Sequence, residues 1–543
     1  MDGYYDSKLT LKNLFVNTAR NFPDREILYA DKEKYTFKTF FERVKSFAAG
    51  LERIGVKKGD VISILDWDTN RYMEAYFAVP MMGAVLHMVN IRYPQELIYY
   101  TMNHAGDKYV LVRDEFVPLL EQNKALFDFI KGWIIYKEDH GKLETTLSPF
   151  YNYDDLVAKT NYEPPELEED TRATIFYTSA TTGLPKGVTF THKDLVTHAL
   201  VVSQAVHSPP LNLTDKDVFL SVVPLFHVHQ WGMPYAGLLS GNKYILAGRY
   251  DVDVLLELIK NEKVTFSTMV PTVLNMILSS PKIEEYRDYL KNWKVIIGGS
   301  ALSTGLALRA KELGIKAIGG YGLSETGPVL SIATLNDSAA ALPDKEREEL
   351  LLSAGLPVPM VNIRVVDKNM KDVPRDEKSL GEIVARAPWL TKEYYNDPEK
   401  SAELWRGGWL HTEDLGFFDK YGYLHVVDRE KDAVKTGGEF IPTLILEDLI
   451  SQHEKVADVA VVGAPSAKWG ERPVAFIVKK GDVTESDILT FMQKFVNSRR
   501  IQKWWLPDKI IFIDSIPKTS IGKADKKELR SRLQPASKDK TQT

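Results

Sequence analysis

Short apolar runs alternate with helix-period segments between about residues 60 and 330. DVISIL (60–65), KYVLVR (108–113), ATIFYTS (173–179), VFLSVVP (218–224), TFSTMVP (265–271) and KVIIGGS (294–300) read as strands. Between them lie helical stretches such as DVDVLLELIKNEKV, where Val252, Leu255, Leu256 and Ile259 fall at i, i+3, i+4 and i+7 and form one apolar stripe. This alternation predicts a mostly parallel sheet covered by helices. Several of the runs end in glycine or small polar residues, and in open α/β sheets ligands bind outside those carboxyl ends.

From about 355 to 428 the pattern shortens to strands with turn signals, NIRVVD, GEIVARAP and GYLHVVD, which predicts a β-rich subdomain. After the charged run DREKD comes a smaller α+β region. Helices are predicted near 444–454 and 486–497, with strands at ADVAVVG, VAFIVK and KIIFID. We place the main boundary there, giving a body of residues 1–428 and a second domain of residues 429–543. For 543 residues this is fewer and less equal units than a prior of about 150 residues per domain suggests.

Composition narrows the chemistry. The chain has 44% hydrophobic and 26% charged residues, which excludes collagen-like and globally disordered classes. With 69 basic and 74 acidic side chains there is no general attraction to a polyanion, so no nucleic-acid partner is expected. The cysteine count is zero, which rules out zinc-thiolate sites, a cysteine nucleophile and any thioester on this chain. The first residues lack a basic and then apolar leader, and the most apolar stretch, Ala75–Val89, is too short to span a bilayer. A cytoplasmic enzyme without a transmembrane segment is the expectation.

The most informative segment is YTSATTGLPKG, residues 177–187. It follows a predicted strand and concentrates hydroxyls and backbone N–H groups at Thr178, Ser179, Thr181, Thr182 and Gly183, with a cation at Lys186. Such a loop suits phosphate oxygens, although it lacks the Gly-Lys-Ser/Thr ending of a Walker A loop and on its own could equally be a structural turn.

This segment resembles the phosphate-loop signature of the AMP-forming acyl-CoA synthetases, luciferases and peptide-synthetase adenylation domains. Further signatures occur in the family's order: VPLFHVHQWG (223–232), GGSAL (298–302), GYGLSETG (320–327), GEIVARAPWLTKEYYN (381–396), GWLHTED (408–414), DREKDAVKTGGEFI (428–441) and PKTSIGKADKKELR (517–530). HVHQWG and KWWLPD look most like the medium- and long-chain fatty acyl-CoA synthetase branch. The resemblance implies an α/β fold, with a large N-terminal domain of layered sheets and helices and a small mobile α+β C-terminal domain.

It also implies an acid-thiol ligase that takes ATP, Mg²⁺, coenzyme A and a carboxylic acid, with homodimers known in the branch. The implied roles run as follows. Glu325, with Thr178, is the Mg²⁺ ligand; Ser324 bonds the α-phosphate; Tyr321 stacks on adenine; Asp414 and Arg429 hold the ribose. Ser300, Gly320 and Gly322 belong to the nucleotide site, and Lys435 contacts the α-phosphate. Lys523 neutralises charge on the α-phosphate, Lys431 is the hinge, and Gly437, Gly438 and Glu439 line the coenzyme A channel. At the acyl end, His227 lies beside the carboxylate, Trp231 is a gate and Gly299 a pocket wall. Residue by residue, blander readings stand beside these: core packing for Tyr321 and Trp231, a solvated carboxylate for Glu325, surface salt bridges for Asp414 and Arg429, and a solvated lysine for Lys523.

The sequence departs from the family pattern at Ala180 and Glu413, both usual glycine positions, and at Ala385-Arg386-Ala387. The leading expectation is a fatty acid–CoA ligase. The alternatives are the same chemistry on a short, branched, hydroxylated (for example hydroxybutyrate-type) or aromatic acid, and an impaired nucleotide-binding regulator.

Overall fold

The computed structural model describes residues 7–178, 184–377, 379–436, 439–498, 500–519 and 522–533. The expected parallel sheet is two sheets. In the first, seven-stranded among the described residues, Arg172–Tyr177 pairs in parallel with Val85–Met88 and antiparallel with Gly187–Thr191. The second has nine strands among the described residues. Its parallel centre runs Lys316–Gly322, Lys294–Ile297, Phe266–Met269, Val218–Ser221, Lys243–Leu246 and Glu26–Tyr29. Parallel strands need both faces covered, and two sheets sharing one helical layer achieve this economically.

The shared layer explains the apolar stretch around residue 80. Every residue of helix Asn70–Met81 is buried, and the chain continues into the buried strand Val85–Met88, so this is core between two sheets. The helix's one carboxylate, Glu74, is fully enclosed and is paired with Arg43 at 2.8 Å and with the Tyr153 hydroxyl. Among the described residues, no helix is long and apolar enough to cross a membrane.

Strands Asn362–Val366, Gly381–Arg386, Leu410–Phe418 and Leu424–Arg429 form an antiparallel four-stranded sheet. Residues 430–433 then lead into a sheet built on the long hairpin Val456–Ser466 and Gly470–Lys479, flanked by helices Thr443–Ser451 and Glu485–Asn497 and holding its own apolar core.

Beside the Thr443 bonds to Asp428, two contacts hold this C-terminal unit against the body. Helix Thr443–Ser451 meets helix Thr304–Glu312, where the Thr304 N–H donates to Asp448 Oδ1 at 2.6 Å. A Cβ on Gly305 would lie 2.3 Å from the Ser451 carbonyl oxygen, so glycine permits this approach. The Thr272 hydroxyl donates to the Gly522 carbonyl at 2.6 Å and holds the loop that carries Lys523 over the sheet.

Candidate active site

The carboxyl ends of the nine-stranded sheet open into a cavity of about 690 Å³ between body and C-terminal unit. It brings together Thr178, Lys186, His227, Trp231, Gly299, Gly320, Tyr321, Gly322, Ser324, Glu325, Arg429, Lys431, Lys435 and Lys523. Ser300 sits on an exposed turn and does not line it. Ser179, Ala180, Thr181, Thr182, Gly183, Gly437, Gly438 and the Glu439 side chain lie outside the described residues.

The stem of the hydroxyl-rich loop is a hairpin, with Tyr177 opposite Gly187. The Thr178 N–H donates to the Lys186 carbonyl at 3.0 Å, the Lys186 N–H returns a bond to Thr178 Oγ1 at 3.3 Å, and the Tyr93 hydroxyl donates to the Thr178 carbonyl at 2.9 Å. Thr178 and Lys186 are thereby held in place. Lys186 Nζ lies 4.5 Å from the centre of the Tyr394 ring, and the Tyr394 hydroxyl donates to Glu325 Oε1 at 2.7 Å. Tyr394 thus ties the cation to the carboxylate. Although it lies inside a quoted motif, its residue type gave no chemical signal.

On the other side, Tyr321 donates its hydroxyl to Asp414 Oδ2 at 2.8 Å, and Arg429 Nε approaches Asp414 Oδ1 at 3.3 Å. Asp414 and Arg429 face each other across paired strands. Asp414 does not line the cavity; it is buried behind Tyr321, and this burial pushes its carboxyl up against the opposing pull of Arg429.

Glu413, beside it, has φ +58°, the left-handed region that favours glycine. A non-glycine residue there costs about 1 kcal/mol or more. Replacing Glu413 by glycine is therefore expected to raise the thermal unfolding midpoint, or at least hold it, while Glu413→Val lowers it; scanning calorimetry on the two variants checks the sign.

Trp231 sits at the end of an unusual turn. Val228, His229, Gln230 and Trp231 all have φ between +48° and +58° and lead into Gly232. Four successive left-handed residues are costly, and buried hydrogen bonds offset that strain. Gln230 Nε2 donates to the Val223 carbonyl at 2.6 Å, and its Oε1 accepts from the Tyr244 hydroxyl. His229 Nε2 bonds Thr174 Oγ1 at 2.8 Å. The indole lies against Gly298, where a Cβ would meet ring carbons at 3.0 and 3.2 Å.

Lys523 reaches the same spot. Its Cε lies 3.5 Å from where a Cβ on Gly299 would stand. Burial and the neighbouring Arg429 push the ammonium down to about 8, against the pull of Asp414 and Glu325. Burial, with Lys523 and Arg92, pushes the His227 imidazole down to about 3, so it is neutral at pH 7.

The lining also carries apolar side chains, Val202 and Val206 from helix His192–Val206 with Met233, Ile296 and Ile332, which belong to one apolar cluster with Trp231. Sequence reasoning did not single these out, because valines at helical spacing look like any core face. Chemically, the cavity presents lysine and arginine cations, among them Lys186, Arg429 and Lys523, the Glu325 carboxylate, the Tyr321 ring with a buried carboxylate bonded to its hydroxyl, and an apolar share of wall.

Comparison with known proteins gives the same organisation. Residues 15–395 match the AMP-binding enzyme family and residues 446–523 match the AMP-binding enzyme C-terminal domain. A long-chain-fatty-acid–CoA ligase of Thermus thermophilus is 35% identical over 97% of this chain and 96% of its own length. A medium-chain-fatty-acid–CoA ligase of Ectopseudomonas oleovorans is 29% identical over 97% of this chain and 96% of its own. Among solved structures, an anthranilate CoA ligase in complex with anthranoyl-AMP superposes with a TM-score of 0.84 at 22% identity, covering 98% of both chains, and shares the fold.

Proposed function

The chain belongs to the AMP-forming acyl-CoA ligases of the AMP-binding enzyme family, and on that premise we propose that the acid it activates is a fatty acid. The observation that carries this reading is the apolar share of the cavity wall, where Val202, Val206, Met233 and Ile296 cluster with Trp231. An uncharged, flexible chain gains free energy there by leaving water. The two relatives described above act, by name, on long- and medium-chain fatty acids.

As an acid-thiol ligase of this family, the enzyme works in two steps. A carboxylate oxygen attacks the α-phosphorus of ATP, the bond to pyrophosphate breaks, and an acyl-adenylate forms. The sulfur of coenzyme A then attacks the acyl carbon, AMP leaves, and the thiol proton passes to solvent. A thioester product from a chain without cysteine draws its sulfur entirely from coenzyme A.

In our assignment Lys523 faces the α-phosphate, Tyr321 stacks on adenine, and Arg429 with the buried Asp414 holds the ribose. Ser324 and Lys435 add phosphate contacts, and His227, neutral, sits beside the acyl carboxylate without repelling Lys523. Glu325 and the Thr178 hydroxyl are hard oxygen donors suited to Mg²⁺, which typically takes one or two protein oxygens together with substrate phosphates. Bound there, Mg²⁺ supplies positive charge to the triphosphate. Lys431, in the connection between the two units, is assigned as the hinge that exchanges Lys523 for the segment 437–439 in the second step. We place the enzyme in the cytoplasm.

The test is a panel of straight-chain acids from acetate to palmitate, with benzoate beside them. Acid-dependent exchange of pyrophosphate into ATP and AMP release that requires coenzyme A are expected, strongest at medium or long chains. Preference for an aromatic or very short acid would overturn the fatty-acid assignment.

A further inference from the structure

The loop that carries His227 and Trp231 is tied, on both sides of His227, to one buried side chain that the two reaction steps do not use. Asp68 is 4% exposed and lies in the connection from strand Val61–Leu65 to helix Asn70–Met81, where it reaches from the seven-stranded sheet to the nine-stranded one. Its backbone is fixed there, because its carbonyl accepts from the Gly248 N–H at 2.9 Å. Asp68 Oδ1 accepts from the Leu225 N–H at 2.8 Å. Its Oδ2 accepts from the Ser221 hydroxyl at 3.3 Å and from Gln230 Nε2 at 3.4 Å. Leu225 stands two residues before His227, and Gln230 stands three after it, next to Trp231. His227 and Trp231 both line the cavity.

These contacts suit the ionised carboxylate. All three groups donate, and only a carboxylate accepts on both oxygens; a carboxylic acid or an amide turns a hydrogen towards one of them. The Ser221 hydroxyl can turn round and accept, but the Leu225 N–H and the Gln230 amide nitrogen cannot. Residues 228–231 are all left-handed, and such strain persists only where surrounding bonds enforce it. Burial opposes the charge and pushes the Asp68 carboxyl up to about 7, against the pull of the Leu225 N–H, the Ser221 hydroxyl and Arg92, while Asp66 pushes the same way as burial. The other titratable groups around it are Tyr72 and Tyr76 of the helix, Tyr244 of the nine-stranded sheet and Tyr250, all pushed up by burial and neutral at pH 7. A carboxyl raised on folding stabilises the fold while protonated, below about pH 4, and that contribution is lost as pH rises through about 7. Folding alone thus favours a neutral group at this position.

We propose that Asp68 is a positioning residue for the acyl half of the site: by holding Leu225 and Gln230 it sets where His227 and the Trp231 indole stand, and so how well the carboxylic acid binds. This rests on the assignment of His227 and Trp231 to the acyl end and deepens it. Protonating Asp68, or replacing it by asparagine, sets a hydrogen against the Leu225 N–H or the Gln230 amide and lets the strained turn relax.

The experiment reads coenzyme A-dependent AMP release with octanoate for the wild type, Asp68→Asn and Trp231→Ala, between about pH 6 and pH 8. At the upper end Asp68→Asn is expected to lose about tenfold in kcat/KM for octanoate, mainly through KM, as one hydrogen bond to a charged group is removed. Its kcat/KM for ATP at saturating octanoate should be little changed. Towards the lower end the wild type protonates Asp68, so its kcat/KM for octanoate should fall to meet that of Asp68→Asn; a side chain that merely packs would keep the ratio of the two constant. The wild type alone reads the same titration, as an acid-side fall near pH 7 in kcat/KM for octanoate that kcat/KM for ATP lacks, and this holds even if the variant folds poorly. A ratio independent of pH, a wild type without that fall, or equal damage to the octanoate and ATP parameters would overturn the role of Asp68. If Trp231→Ala nevertheless changes the octanoate KM, the acyl-end assignment stands; if Trp231→Ala leaves octanoate kinetics unchanged, that assignment falls and the role of Asp68 with it.

Discussion

Replacing Lys523 by alanine is expected to slow acyl-adenylate formation by about 10² to 10³-fold or more, while release of AMP from supplied acyl-adenylate by coenzyme A is largely retained. The loop carrying Lys523 is held over the sheet by the Thr272 bond to Gly522, and the side chain ends beside Gly299 with Arg429, Asp414 and Glu325 as its charged surroundings. A cation delivered by the C-terminal unit can act only while that unit is docked in this way. The two half-reactions should therefore separate, and stopped-flow measurement of each tests it; equal damage to both would contradict the assignment.

The ammonium's perturbed acidity adds a pH signature. Only the protonated form stabilises a developing phosphate charge, and burial with Arg429 brings Lys523 down to about 8. The kcat/KM for ATP, which reports the free enzyme, should thus be full below that value and fall as pH rises through it. Bound triphosphate makes the ammonium a weaker acid again, so kcat should hold to higher pH than kcat/KM. Lys523→Arg, permanently charged, should lose the alkaline fall whatever its absolute rate.

Much of the candidate site was legible because many of the residues that meet at the cavity are of types conspicuous in sequence. Hydroxyls and glycines crowd 177–187, and Lys523 stands in a loop marked by proline, serine and glycine. Strand positions such as 61–65, 107–113 and 294–297 followed from apolar runs, because parallel strands are buried on both faces. The division into two sheets did not follow: periodicity reports that a strand is buried, and it carries no record of which strands it pairs with.

Other features were hidden for more local reasons. The left-handed turn 228–231 contains Val, His, Gln and Trp, with no glycine or asparagine before Gly232, because tertiary bonds from Gln230 and His229 enforce it. Glu413 was visible as a departure, and its φ of +58° supplies the physical reason that glycine is favoured there.

Glu325→Gln should reduce adenylation by about 10² to 10³-fold at fixed Mg²⁺ and raise the Mg²⁺ concentration needed for half-maximal rate. The substitution is nearly isosteric. A glutamine oxygen can still accept from the Tyr394 hydroxyl, and the Thr391 N–H bond to the backbone carbonyl of residue 325 is untouched, so what is lost is one negative charge facing the cavity. Tyr394→Phe removes the hydrogen bond and keeps the charge. Its loss should be at most about tenfold, the usual worth of one such bond, with the Mg²⁺ requirement shifted little. Titrating Mg²⁺ against initial rate for both variants therefore separates a ligand from a merely well-packed carboxylate. If Glu325→Gln followed the wild-type titration, or if Tyr394→Phe shifted it further than Glu325→Gln, the carboxylate would be a structural anchor for Tyr394 and the metal would have to be held elsewhere. The thioester step, which carries no triphosphate, should in either variant be damaged less than the first.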